Sequence, residues 1–346
     1  MLIRSQVVNM IKGRHDSGSL FSLLPREIIR RLKYSPTLDQ DFLDALKDAA
    51  EGKLEELRAK LEKNSRLVLQ AGDVVTPAGL LVLDTTLLEC AIGGGEDKEM
   101  IEMIKSYFST LPGGDEAMES QIERYRPCIK EMQNQKPDDL TWLIEIVKKS
   151  SLADVAAELA TGADYDKTYQ SPLRDALNKF RKEKLDPKHR VITKPQMHCN
   201  YQNLAHAFDI RDREWSNFKE GNNYDRIYLI EQQIIGFIEL VELPAYERYV
   251  FAQCQAKQAT AGKGIERSLK YKYSAGEFPC YDATLVDSHS GVGFDSAISI
   301  FGSGMLPLLE GRRWCTAEVL ENLCRAKTSN LQNLCSHTHN LNRPGV

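Results

Sequence analysis

The residue types best suited to chemistry in this chain are thiols, imidazoles and glycine-rich loops. Cys335-Ser336-His337-Thr338-His339 sets a thiolate source beside two imidazoles, and Cys315 and Cys324 lie upstream. Both groups are zinc ligands, but the cluster lacks the paired spacing that pre-organises a zinc site, and it sits in a polar tail. A solvated tail is the simpler reading, and no metal is assigned. Met197-His198-Cys199 and His206 offer a thiolate and imidazoles, with the two histidines eight residues apart, a spacing that fits one helix face. A nucleophilic cysteine also needs an oriented base and an oxyanion site. No local motif marks either, so ordinary helix packing is preferred and no catalytic residue is assigned.

Two further stretches carry chemical potential. Gly291-Val292-Gly293-Phe294-Asp295-Ser296 and Gly302-Ser303-Gly304 have the glycine content of phosphate loops. A phosphate loop joins a strand to a helix N-terminus, usually with Lys-Ser or Lys-Thr following; neither is present. Turned backbone is the simpler account, and no cofactor is expected. Arg267, Lys270 and Lys272 alternate with Tyr271 and Tyr273, a pattern able to meet phosphate or bases. A strand with lysines in water and tyrosines in a core explains it more simply.

The 346 residues suffice for two domains, and the formal net charge of −4 argues against general nucleic-acid affinity. No apolar run is long enough to span a bilayer, and Met1 to Lys12 lacks the apolar core of a cleavable signal. Eight cysteines scattered without a CxxC pair read as reduced thiols.

The elements that would position these residues are mostly helices. Pro25 opens a short helix carrying Leu24, Ile28 and Leu32. Asp41 to Lys63 reads as a helical hairpin turning at Gly52. Val68 to Val82 breaks the helical pattern with Ala71-Gly72-Asp73 and Pro77-Ala78-Gly79. Thr86 caps a second hairpin that turns at Gly93-Gly94-Gly95 and carries Met100, Ile101, Ile104, Tyr107 and Phe108. Glu116 to Gln135 is a charged helical insertion. A third hairpin of short helices covers Asp138 to Leu159, and Ser171-Pro172-Leu173 opens the next helix. Arg181 to Pro195, basic and with two prolines, reads as a boundary. Beyond it lie longer helices, one through Tyr201, Leu204, Phe208, Trp215 and Phe218, the next striped with Ile227, Ile230, Ile234, Phe237, Ile238 and Val241. A β-hairpin is expected near 267–280.

Thr86-Leu87-Leu88-Glu89-Cys90-Ala91-Ile92-Gly93 and Leu159-Ala160-Thr161-Gly162-Ala163-Asp164 with Ser171-Pro172-Leu173 resemble fragments of ankyrin repeats. About forty residues separate Gly52 from Gly93, against roughly thirty-three in an undecorated unit. Leu23-Leu24-Pro25-Arg26-Glu27-Ile28 resembles the opening of an F-box, with Leu24, Pro25, Ile28 and Leu32 as its docking residues; an N-terminal helix capping the array is the alternative. With Asn203–Glu214 and Ser290–Ala297, the whole resembles ankyrin-repeat effectors of Legionella and Coxiella type, which a type IV system delivers into host cells.

The expected fold is mainly α: a capping segment over 1–35, a degenerate ankyrin-like array over 36–185 and a helical domain with a small β-hairpin over 190–346. The resemblance implies a protein–protein interaction module made in the bacterial cytoplasm, delivered to the host cytosol and binding a host protein. The lengthened hairpin, with Asp73, Val74, Thr76 and Leu81, is the expected docking tip. Two alternatives stand beside it: an enzyme of unrecognised type in the C-terminal half with the array selecting its substrate, and an F-box-like ubiquitin-ligase adaptor.

Overall fold

The computed structural model describes residues 40–242 apart from 77, 96–97, 161–165, 167, 185–189, 199 and 220–222. It also describes the backbone of four short strands between 270 and 292, and residues 329 and 331–334. Helix predominates among them, with one three-stranded sheet and two β-hairpins. None of the described helices is long and apolar enough to cross a membrane.

Gly52 ends the first helix because the turn needs positive φ. Its φ is +72°, and Lys53 N–H reaches back to the Asp48 carbonyl at 2.9 Å. Helix α1 (Gln40–Glu51) buries Phe42, Ala45, Leu46, Ala49 and Ala50, the three-and-four spacing of one helical stripe. Helix α2 (Leu54–Lys63) answers with Leu54, Leu57 and Leu61. A 3-10 turn over Ser65–Leu69 leads to β1 (Gly72–Val75) and β2 (Leu81–Thr85), paired antiparallel with an irregularity between Gly72 and Val74.

Thr86 starts α3 (Leu87–Gly94) with a full capping box: its hydroxyl accepts from Glu89 N–H, and the Glu89 carboxylate accepts from Thr86 N–H. Gly95, φ +68°, closes it, and α4 (Lys98–Phe108) returns with Met100, Ile101, Met103, Ile104 and Phe108 buried. α1 packs on α3 and α2 on α4, so the two hairpins stack in register. The charged helix α5 (Gly114–Glu131) lies against α3 and α4 and buries Gln121, Ile122, Tyr125 and Ile129. As a result, α3 is enclosed along nearly its whole length.

The third strand, β3 (Val191–Ile192), was not legible in the sequence. It pairs parallel with β2, Leu81 opposite Val191 and Val82 opposite Ile192. The stretch expected to be a boundary therefore contributes to the sheet.

The chain divides into two units. The first takes in 40–135, 190–200, 329 and 331–334 of the described residues, where Leu331 and Leu334 are buried. The second takes in 136–189 and 201–242 with the four later strands. The chain passes from the first unit to the second at Gln135/Lys136 and returns to the first at Arg190.

In the second unit, α6 (Thr141–Lys149), α7 (Leu152–Leu159) and α8 (Pro172–Lys184) are short helices; α8 packs on both α6 and α7. Helix α9 (Tyr201–Phe218) is followed by α10 (Asp225–Leu229), a π-helical turn over Ile230–Ile235, and α11 (Gly236–Glu242). The expected stripe of Ile227, Ile230, Ile234, Phe237, Ile238 and Val241 is buried throughout. The π turn adds Glu231, Gln232 and Gln233 to the buried set. The β-hairpin expected near 267–280 is β4 (Lys270–Tyr273) against β5 (Gly276–Pro279), and β6 (Val286–Asp287) pairs with β7 (Gly291–Val292).

Candidate functional site

The lengthened hairpin projects less than its sequence suggests. Val74 is 7 % exposed and Leu81 is fully buried, so both belong to the core rather than to a docking tip. Asp73 and Thr76 remain half-exposed and hold the turn. Asp73 Oδ1 accepts from Asp84 N–H at 2.9 Å, and Thr76 Oγ1 accepts from Leu80 N–H at 3.2 Å. Asp84, at φ +51°, occupies the left-handed region, which the Asp73 contact helps to hold. Ala78 and Leu80 at the tip are also buried, and the Arg190 guanidinium donates to the Ala78 carbonyl. The residues of the hairpin that keep some exposure thus include Asp73, Val75, Thr76, Leu83 and Asp84. The sequence signal for a surface loop was sound in polarity. The burial of its apolar members came from packing that spacing does not reveal.

The second unit holds a chain of buried charges. The Glu158 carboxylate has no exposed surface and accepts from Arg174 Nε at 2.5 Å. Arg174 Nη1 also donates to the carbonyls of Asp166 and Tyr169 at 2.6 and 2.7 Å, fastening the loop before α8. Gln233 donates to the Glu158 main-chain carbonyl and accepts from Arg181. The Glu231 carboxylate faces Arg211 at 3.2 Å; burial pushes its pKa up to about 8, against the opposing pull of Arg211. Lys184 binds both Asp138 and Glu242, and Asn203 donates to both Glu242 oxygens at 2.9 and 3.0 Å while accepting from Asp138 N–H at 2.7 Å. Burial raises the Glu242 pKa.

These groups are spent on one another. The acidic side chains meet arginine or lysine, and the helices that carry them (α7 with α8, α9 with the π turn, α8 with α11) are fixed in register by the pairing. Replacing such pairs with apolar residues is often neutral, whereas removing one member leaves a buried charge. The arrangement specifies how helices meet. Sequence reasoning passed over it, since Glu158, Arg174 and Glu231 have no distinguishing neighbours in the chain.

Of the thiol and imidazole groups, His198 lies in the first unit and His206 in the second, where it stands near Asp139. His198 is seated on Gly93, and its main-chain N–H donates to the Gly93 carbonyl at 2.8 Å. Cys90 is buried, and the Cys128 thiol donates to the Pro195 carbonyl at 3.0 Å. Among the described residues, no group of three His, Cys, Asp or Glu side chains is arranged to hold a metal. Cys199, the Cys315, Cys324 and Cys335–His339 cluster, the F-box-like Leu24, Pro25, Ile28 and Leu32, and the loop at 302–304 lie outside the described residues, and of 291–296 only the backbone of β7 is described. Comparison with known protein families, curated proteins and solved structures finds none that matches this chain.

Proposed function

We propose that the chain is a protein-binding module built on ankyrin-like helical hairpins, and that it acts as a bacterial effector holding a host protein. The observation that carries this reading is the stacking of α1 on α3 and α2 on α4, with the β1–β2 hairpin joining the two helix pairs. Helix pairs joined by a projecting hairpin give a rigid surface whose shape does not depend on a ligand, the property a binding scaffold needs. The enclosure of α3 by α5 moves the candidate surface away from the helix face that an undecorated array would use. The candidate surface is instead the hairpin, where Val75 and Leu83 keep partial exposure, as do Asp73, Thr76 and Asp84. Partly exposed apolar side chains beside polar ones suit a protein contact.

The test is capture from host-cell lysate by the immobilised full chain, compared with a Val75→Lys/Leu83→Lys variant whose melting curve matches the wild type. A partner retained by the wild type and lost by the variant supports the surface. An identical retained set on both removes it.

A further inference from the structure

We infer that residues 190–198 form an acid-releasable strap on the first unit, with His198 as its latch. The segment leaves the second unit after α8, docks on the first, and returns to the second at α9. β3 contributes two paired residues. Arg190 donates to the Ala78 carbonyl, Cys128 donates to the Pro195 carbonyl, and His198 N–H donates to the Gly93 carbonyl. Ile192 and Met197 are its buried apolar side chains, at 2 and 8 % exposure, while Thr193 to Gln196 between them are exposed.

The latch is a ring pressed onto a glycine. A Cβ on Gly93 would lie 2.4, 2.8 and 2.9 Å from His198 Nε2, Cε1 and Cδ2, so any larger residue there must displace the imidazole from this seat. Although the residue as a whole is half-exposed, Nε2 is enclosed and meets no hydrogen-bond partner among the described residues. A neutral imidazole tolerates this as an acceptor without a donor. An imidazolium places a charged N–H in the same seat, and a buried charged donor without an acceptor is far costlier.

Among the described residues, the charged and titratable groups on the packed elements do not relieve that cost. On α3 these are Glu89 and Cys90, with Glu89 committed to Thr86 and to Arg124 at 2.8 Å. On α5, which the strap meets at Cys128, the neighbouring ones in the chain are Arg124, Tyr125, Lys130 and Glu131; the strap itself carries Arg190 and Lys194. Among these, none sets the protonation of His198, which burial alone drives down from 6.5 to about 4.

The coupling has a definite sign. The released strap binds a proton more readily than the seated one between pH 6.5 and about 4, so seating is favoured above this window and lost as pH falls through it. The same difference makes the release equilibrium about 20-fold greater at pH 5 than at pH 7.

Hydrogen exchange of the full chain, read by mass spectrometry and corrected for the intrinsic pH dependence of exchange, measures this release. Protection of 190–198 is compared with that of α1, in the same unit, at pH 7 and pH 5. The expected result is a loss of strap protection of about 20-fold at pH 5, with α1 unchanged, and no such loss in His198→Phe, which fills the seat without titrating. Wild-type strap protection that is equal at the two pH values overturns the proposal. So does an equal loss in strap and α1, or a loss of the same size in His198→Phe.

Discussion

Replacing Arg174 by methionine strands a carboxylate that has nowhere to go. Glu158 is fully buried and Arg174 is 3 % exposed, and the Nε–Oε1 contact of 2.5 Å joins α7 to α8. Removing one partner of a buried pair costs about 3–5 kcal/mol, because the remaining charge keeps its desolvation penalty. Arg174 also donates to the Asp166 and Tyr169 carbonyls; these lie in a partly exposed loop where water can substitute, adding about 1 kcal/mol. Against a typical domain stability of about 5–15 kcal/mol, that is a large share. The double variant Glu158→Leu/Arg174→Met removes the stranded charge, keeps the Glu158 main-chain carbonyl that Gln233 uses, and should lie within about 2 kcal/mol of wild type. Urea unfolding followed by tryptophan fluorescence is the suitable assay, since Trp142 and Trp215 both lie in the second unit and 40–135 contains no tryptophan. A cost below about 1 kcal/mol for Arg174→Met, or single effects that simply add in the double variant, would refute the reasoning.

Gly93→Ala sets a helix-propensity gain of about 1 kcal/mol against overlap with the His198 ring. The overlap should win, lowering the melting temperature of the first unit, and Gly93→Ala/His198→Ala should recover part of the loss. Glu231 offers a pH test in the second unit. Its native pKa is raised from 4.5 to about 8, so the native state binds more protons in that window, and stability falls as pH rises through it. Urea midpoints should drop between pH 5 and pH 9, and Glu231→Gln should flatten that drop; an unchanged slope would count against the assignment. Thr86→Ala removes both the α3 cap and the 2.7 Å contact with Gln121, and should cost about 1–2 kcal/mol in thermal unfolding of the first unit. Asp84→Gly relieves a positive φ and should stabilise by at most about 1 kcal/mol in the same measurement.

Much of the helical scaffold was legible because it rests on local rules. Gly52 terminates α1 since a left-handed turn suits glycine, Thr86 and Glu89 form a capping box three residues apart, and the stripe from Ile227 to Val241 repeats at helical spacing. Helix starts, stops and buried faces are set within a few residues of chain, so the sequence by itself determined a mainly helical protein with these hairpins and with a β-hairpin near 267–280.

What tertiary structure decided was every relation spanning many residues. Val74 and Leu81 read as a projecting tip, yet α1 and the returning strand cover them. Val191 and Ile192 read as part of a boundary, yet they complete a sheet with residues more than a hundred positions earlier. Glu158 finds Arg174, Glu231 finds Arg211 and His198 finds Gly93 only once separate elements have packed. Periodicity reports which side of an element is apolar. It cannot report what covers that side, because the covering element is chosen by the whole fold's free energy rather than by the residues beside it.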